Sequence, residues 1–259
     1  MSLKALRSYA GSANHVANLL FVWRPFLDAL WAASAQAADG KKRTNAPPGM
    51  LWTEQVRVSL QWIWWFLECE GGPLHREWTV RSYFQQDGVL MMILDASPWG
   101  LGGILLWLGK PIAWFTSPLT EDDVRIHKFE LGDHRGQQAW ECLTVLVAVK
   151  SWYDYWSQTR LTVCIKSDSK SALSLAERLK VGPTAKLISQ ELALLYHWAQ
   201  FEPKVEHIPG VANQLADTLS RLNDPKKDKT LPAVLAQIPP TRIPARDEAY
   251  YMALAWQVG

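Results

Sequence analysis

Four carboxylates stand where they could do chemistry together. Asp95 closes VLMMILD, six apolar residues leading into one charge, and Asp168 closes a second apolar run, LTVCIKSD. Glu141 falls in the first turns of GQQAWECLTVLVAVKSWYDYW, and Asp217 lies in a final amphipathic segment, residues 212–222. Short apolar runs of this kind predict buried strands. In α/β sheets, ligand sites gather at strand ends, so two strands that each end in Asp converge on one place. Acids brought together repel unless divalent cations screen them. Hard oxygen donors with open positions suit magnesium, which a few carboxylates hold together with substrate phosphate. Around these acids stand Ser97, Gln137 and Gln138, the last two four and three residues before Glu141. His207 precedes Asn213 by six residues and Asp217 by ten.

A mixed sheet must position them. From about residue 76, EWTVRSYF, VLMMILDA, GLGGILLWL and KPIAWFTS predict the strands of a meander, with QQDG and LGK as turns. Residues 136–156 predict a long helix and LTVCIKSD a short strand. SKSALSLAERLK predicts a helix capped by Ser169 or Ser171. A helix over 184–200, a strand FEPKVEHI and a helix over 212–222 complete an α/β unit, a mixed sheet layered with helices. The segment FTSPLTEDDVRIHKFELGDHR, residues 115–135, reads as an insertion-like loop carrying His127 and His134, suited to a lid or a docking arm.

Residues 1–75 predict a small helical region. Leu6, Ala10, Ala13, Val16, Ala17 and Leu20 share one face of a first helix, and a second follows Pro25 with Phe26, Leu27, Leu30 and Trp31. Residues 37–49 form a polar linker. A third helix over 53–67 is apolar on more than one face and is expected to be sandwiched, with Gly71-Gly72-Pro73 ending it. Residues 1–27 contain Lys4, Arg7, Arg24, several serines and no acid, the composition of a mitochondrial transit peptide, but the periodicity favours a packed helix. After Arg221 the Pro-rich, charged residues 223–259 predict an extended tail. A short helix over 247–256 would offer Tyr250, Leu254 and Trp256 to the body or to a partner.

Composition narrows the function classes. With 259 residues, 48% hydrophobic and 20% charged, the chain can build a core. No apolar run reaches the ~20 residues of a membrane span. A net charge of +2 permits a polyanionic partner but requires any basic surface to be local. Cys69, Cys142 and Cys164 are odd in number and lack ligand spacing, which favours buried thiols in a reducing, intracellular compartment, cytoplasmic or nuclear. The fifteen tryptophans are expected mainly in cores and helix interfaces.

In order, LDASPWGLGG, AWECLTVLVAVKSW, IKSDSKSAL and HIPGVANQLADTLSR resemble the ribonuclease H domain of retroelement reverse transcriptases of the DIRS and gypsy types. The resemblance covers residues 78–222 and implies a ribonuclease H-like fold. It also implies a catalytic quartet, Asp95, Glu141, Asp168 and Asp217, holding two Mg2+ ions for which Mn2+ can substitute. Asp95 would bridge the ions, Glu141 and Asp168 would complete one shell, and Asp217 the other. The implied reaction is endonucleolytic cleavage of the RNA strand in an RNA/DNA hybrid. His207 would act as a catalytic accessory on a mobile loop, and Asn213 as a second accessory. Gln137 and Gln138 would read the hybrid's minor groove, while Ser97 and the neighbouring glycines would let the nucleic acid backbone approach.

The N-terminal helices resemble, more loosely, the thumb and connection region of the same enzymes. No aromatic-x-Asp-Asp polymerase signature is present, and Asp122-Asp123 stands in the wrong context, so the chain is not expected to polymerise DNA. Its expected partners are the hybrid and the polymerase part of a reverse transcriptase or a larger assembly. The extra basic helix of some cellular enzymes is missing between Glu177 and Gln190, which leaves Lys4, Arg7, Arg24 and Lys41-Lys42-Arg43 as candidates for gripping phosphates. A different class of function stays open, a domesticated, non-catalytic scaffold or binding subunit. The intact quartet argues against long disuse.

Overall fold

Apolar residues at three- and four-residue steps fold the first 38 residues into two helices in the computed structural model, which describes residues 1–38, 46–70, 80, 90–157, 161–199 and 202–255. They are α1 (Leu3–Leu19) and α2 (Arg24–Ala38), and the Ser2 side chain caps α1 by accepting from the Ala5 amide. A third helix, α3 (Arg57–Leu67), packs on α2 and the turn before it through aromatic contacts: Trp23 of that turn stacks on Phe66 at 6.1 Å, and Phe26 of α2 meets Trp62 at 6.1 Å. Each such pair adds roughly 0.5–1.5 kcal/mol beyond its buried area. α3 buries one side only. Trp62, Ile63 and Phe66 are covered, whereas Trp64 and Leu67 are about half exposed, contrary to the sandwiched helix expected. These helices belong to one compact unit, Met1–Arg76 with Trp256–Gly259, and Glu77–Ala255 forms another. The polar run over 39–45, Gly71-Gly72-Pro73, the strand EWTVRSYF apart from Val80, its QQDG turn, and Trp256 lie outside the described residues.

The second unit is a mixed α/β structure, consistent with the ribonuclease H-like fold expected. Its strands are β1 (Leu90–Ser97), β2 (Gly100–Trp107), β3 (Lys110–Pro118), β4 (Thr162–Ser167) and β5 (Glu202–His207), in the order β3-β2-β1-β4-β5. β1, β2 and β3 are antiparallel hairpins, while β4 runs parallel to both β1 and β5. Covering helices are α4 (Glu121–His127), α5 (Gln137–Ser151), α6 (Lys170–Arg178), α7 (Lys186–Ala199), α8 (Gln214–Arg221) and the short α9 (Met252–Ala255). In α5, residues Ala139 through Val149 are all buried, so this helix forms the interior of the unit. α8 lies directly on the β1–β2 hairpin. A Cβ at Gly102 would sit 2.5 Å from the Ser220 nitrogen and 2.6 Å from the Ala216 carbonyl oxygen, so only glycine permits this approach.

One expectation needs correction. Residues 115–135 are not an insertion-like loop: β3 runs to Pro118, and α4 follows with a complete capping box between Thr120 and Asp123. His127 is buried, bonds the Tyr251 hydroxyl at 3.1 Å and meets the Trp140 ring edge-on. Residues 223–255, expected as an extended tail, pack on the sheet edge. Pro240 pairs with Trp114 of the edge strand, Thr241 N donates to the Trp114 carbonyl, and Tyr250 and Tyr251 are buried.

Candidate metal centre

Strand register brings the first two acids level. Ile93 of β1 pairs with Lys166 of β4, and two residues further along the parallel strands lie Asp95 and Asp168. Glu141, one turn into α5, reaches the same place. One carboxylate oxygen from each of the three lies within 4.8 Å of the others. Asp95 and Glu141 are 5% and 9% exposed, and Asp168 faces solvent. Asp95 stands within β1 rather than at its end, since the strand continues through Ala96 and Ser97.

Neutral donors orient the two buried acids. Ser220 Oγ donates to Asp95 Oδ2 at 2.6 Å, and Asn213 Nδ2 donates to Asp95 Oδ1 at 3.2 Å and to the Leu94 carbonyl. Gln137 Nε2 donates to Glu141 Oε1 and to the Ala96 carbonyl, both at 2.7 Å. Burial pushes the Asp95 carboxyl up to about 7; Ser220 opposes the shift, Asp168 and Asp217 add to it, and Arg221 opposes it. Burial, then repulsion from Asp95, pushes Glu141 up to about 8 against the Gln137 hydrogen bond. A buried charge among like charges is costly, and protonation or a bound cation removes that cost. An all-oxygen donor set of this kind fits Mg2+ or Mn2+.

The other expected residues are placed differently. Asp217, on α8, is outside the group of three, and its Oδ1 accepts from Arg221 Nε at 2.6 Å. His207 ends β5 instead of riding on a loop, and its Nε2 lies 3.1 Å from the Asp168 carbonyl oxygen, with the residue exposed. Ser97 is buried: its Oγ donates to the Ser220 carbonyl and accepts from the Trp99 and Gly100 amides, which closes the hairpin. Asn213, 1% exposed, turns toward Asp95. Gln137 is committed to Glu141. Gln138 is exposed, donates to Ser171 Oγ at 2.8 Å and borders a groove of about 460 Å³ that Lys170, Arg178 and Lys180 also line.

Ser220 and this basic groove escaped the sequence reading. The available signal for Ser220 was its position three residues after Asp217, on the apolar side of α8. For the groove it was three cations within eleven residues, Lys170 to Lys180, just before Gly182. Among the N-terminal cations, Arg7 is tied to Ser34 by its Nε at 2.8 Å.

No family model and no curated protein matches the chain. Among solved structures, the foamy viral protease-reverse transcriptase dRH in complex with ds DNA matches 94% of this chain at 17% identity and a TM-score of 0.31. The chain spans 37% of that protein's length. Among the described residues, no helix is long and apolar enough to cross a membrane.

Proposed function

We propose that the chain is a metal-dependent endonuclease that cleaves the RNA strand of RNA/DNA hybrids and acts as the C-terminal part of a retroelement reverse transcriptase. The observation that carries this reading is the meeting of Asp95, Glu141 and Asp168, from three separate elements, within 4.8 Å. Among the described residues, none of the three forms an ion pair. These residues would hold magnesium, or manganese in its place, with Asp217 contributing once released from Arg221. Bound ions at such a site lower the pKa of coordinated water and neutralise charge on the phosphodiester.

The chain's own groups supply the rest. Ser220 and Asn213 hold Asp95, and Gln137 holds Glu141. His207, anchored through one ring nitrogen, offers the other to move a proton or ease product release. Lys170, Arg178 and Lys180 would meet phosphates along the groove, and the Gln138 amide could bond a base edge or the 2′-hydroxyl that distinguishes RNA from DNA. Water attacks phosphorus, the 3′-oxygen leaves, and the products carry 5′-phosphate and 3′-hydroxyl ends.

A second reading, a non-catalytic binding subunit, is favoured by the Asp217–Arg221 pair. Incubating the full chain with an end-labelled hybrid and Mg2+ separates the two. The nuclease reading requires cutting of the RNA strand alone. Salt-sensitive binding of the hybrid without cutting would favour the binding subunit.

A further inference from the structure

Asp95 is held at both carboxylate oxygens by one helix. Asn213, at the N-cap of α8, donates to Oδ1, and Ser220, in its last turn, donates to Oδ2. These residues are seven apart, two helical turns, so both look the same way. They are 1% and 0% exposed, and their contacts with Asp95 are shielded from water. The Ser220 hydroxyl has one proton and two acceptors within reach, Asp95 Oδ2 at 2.6 Å and the Asp217 carbonyl at 3.0 Å. The shorter contact, to a carboxylate, is the stronger for the ionised acid.

The helix itself is fastened. Thr116 Oγ1 donates to the Leu219 carbonyl at 2.7 Å, Ser97 Oγ donates to the Ser220 carbonyl at 2.8 Å, and Gly102 admits the α8 backbone against the hairpin. Ser220 therefore stands on a rigid mount. A carboxylate offers about four lone-pair positions, and these two bonds occupy two of them.

We propose that Ser220 is a positioning residue: with Asn213 it fixes the rotation of the Asp95 carboxylate so that its free lone pairs serve a divalent ion shared with Glu141 and Asp168. This rests on reading the three acids as a metal centre. It assigns α8 a second task besides carrying Asp217, since the helix also sets how tightly the centre binds its ion.

The test compares two hydroxyls that tie α8 to the sheet, only one of which touches Asp95. Full-length parent, Ser220→Ala and Thr116→Val are titrated with Mn2+ by electron paramagnetic resonance, melted, and assayed on a hybrid. Ser220→Ala is expected to weaken Mn2+ binding about 10- to 100-fold, the range for loss of a partner behind a metal ligand. It should also lower kcat while leaving KM for the hybrid unchanged. Thr116→Val is expected to lower the Tm yet bind Mn2+ as the parent does. Parent-like Mn2+ binding by Ser220→Ala, or equal weakening in Thr116→Val, would overturn the proposal. If Ser220→Ala fails to fold, Ser220→Cys, similar in shape but a weak donor, serves the same comparison. A parent that binds Mn2+ but cuts no hybrid would sink the nuclease reading alone, and the titration would still decide the role of Ser220.

Discussion

Asp95 and Asp123 are both buried acids of the second unit, and they keep opposite company. Asp123, 0% exposed, accepts from Arg246 Nε and Nη2, closest at 2.7 Å, and from the Thr120 amide. Arg246 is itself 2% exposed and also donates to Ser117 Oγ and the Pro118 carbonyl. Among the described residues, the Asp95 carboxylate receives only a neutral hydroxyl and a neutral amide, and it faces two more carboxylates. A charge answered by a buried charge is a fastening; here it binds the segment after Arg221 to α4 and the edge strand β3, covering backbone groups that an open edge would expose. A charge left among like charges gains from a cation brought from solution. Burial alone therefore does not mark a functional acid; the sign of its neighbours does.

Breaking the fastening should have the largest effect. Arg246→Ala leaves Asp123 buried without its partner and is expected to cost about 3–5 kcal/mol in urea unfolding. At the proposed metal centre, Asp168→Asn keeps the shape but would remove a ligand charge, so single-turnover cleavage of a hybrid should fall at least ~100-fold while the protein stays folded. An undiminished rate would remove Asp168 from the site. His207→Ala is expected to slow steady-state turnover by less than the ~100-fold typical of a lost general acid or base, and to spare the single-turnover step. Equal loss in both regimes would assign His207 to the chemical step, and no loss in either would make it structural.

The subtlest difference is in pH dependence. The folded values of Asp95 and Glu141 are raised, so their contribution to stability is present below 3.8 and 4.5 and is lost as pH rises through about 7 and about 8. The metal-free protein should melt progressively lower across that window. Saturating Mg2+ should flatten the trend and release protons on binding near neutral pH, because the ligands must ionise. Thermal melts in chelator and in Mg2+ would check this, with parallel curves counting against it.

Much of the site was legible because its signals are local. VLMMILD and LTVCIKSD each announce a buried strand bearing an acid, and their parallel pairing alone brings Asp95 level with Asp168. The long apolar helix carrying Glu141 was equally plain. What stayed hidden depends on contacts distant in sequence. Ser220 lies 125 residues from the acid it holds, and Arg246 lies 123 residues from Asp123, inside a Pro-rich run that reads as tail. Asn213 and Ser97 are polar residues near a polar site, so their inward hydrogen bonds could not be told from substrate contacts. The 115–135 segment looked like a loop because α4 has seven residues, too few to establish helical periodicity.

The claim that matters most is that Asp95, Glu141 and Asp168 together hold a divalent ion. Its most direct test is a Mn2+ titration of the full chain by electron paramagnetic resonance, with Mg2+ as competitor and Glu141→Gln alongside. The account predicts that the parent sequesters Mn2+, that Mg2+ displaces it, and that Glu141→Gln weakens binding by at least ~10-fold, the loss that follows even when a residue behind a ligand is removed. A parent that leaves the free Mn2+ signal untouched, or a Glu141→Gln protein that binds as tightly as the parent, would contradict it.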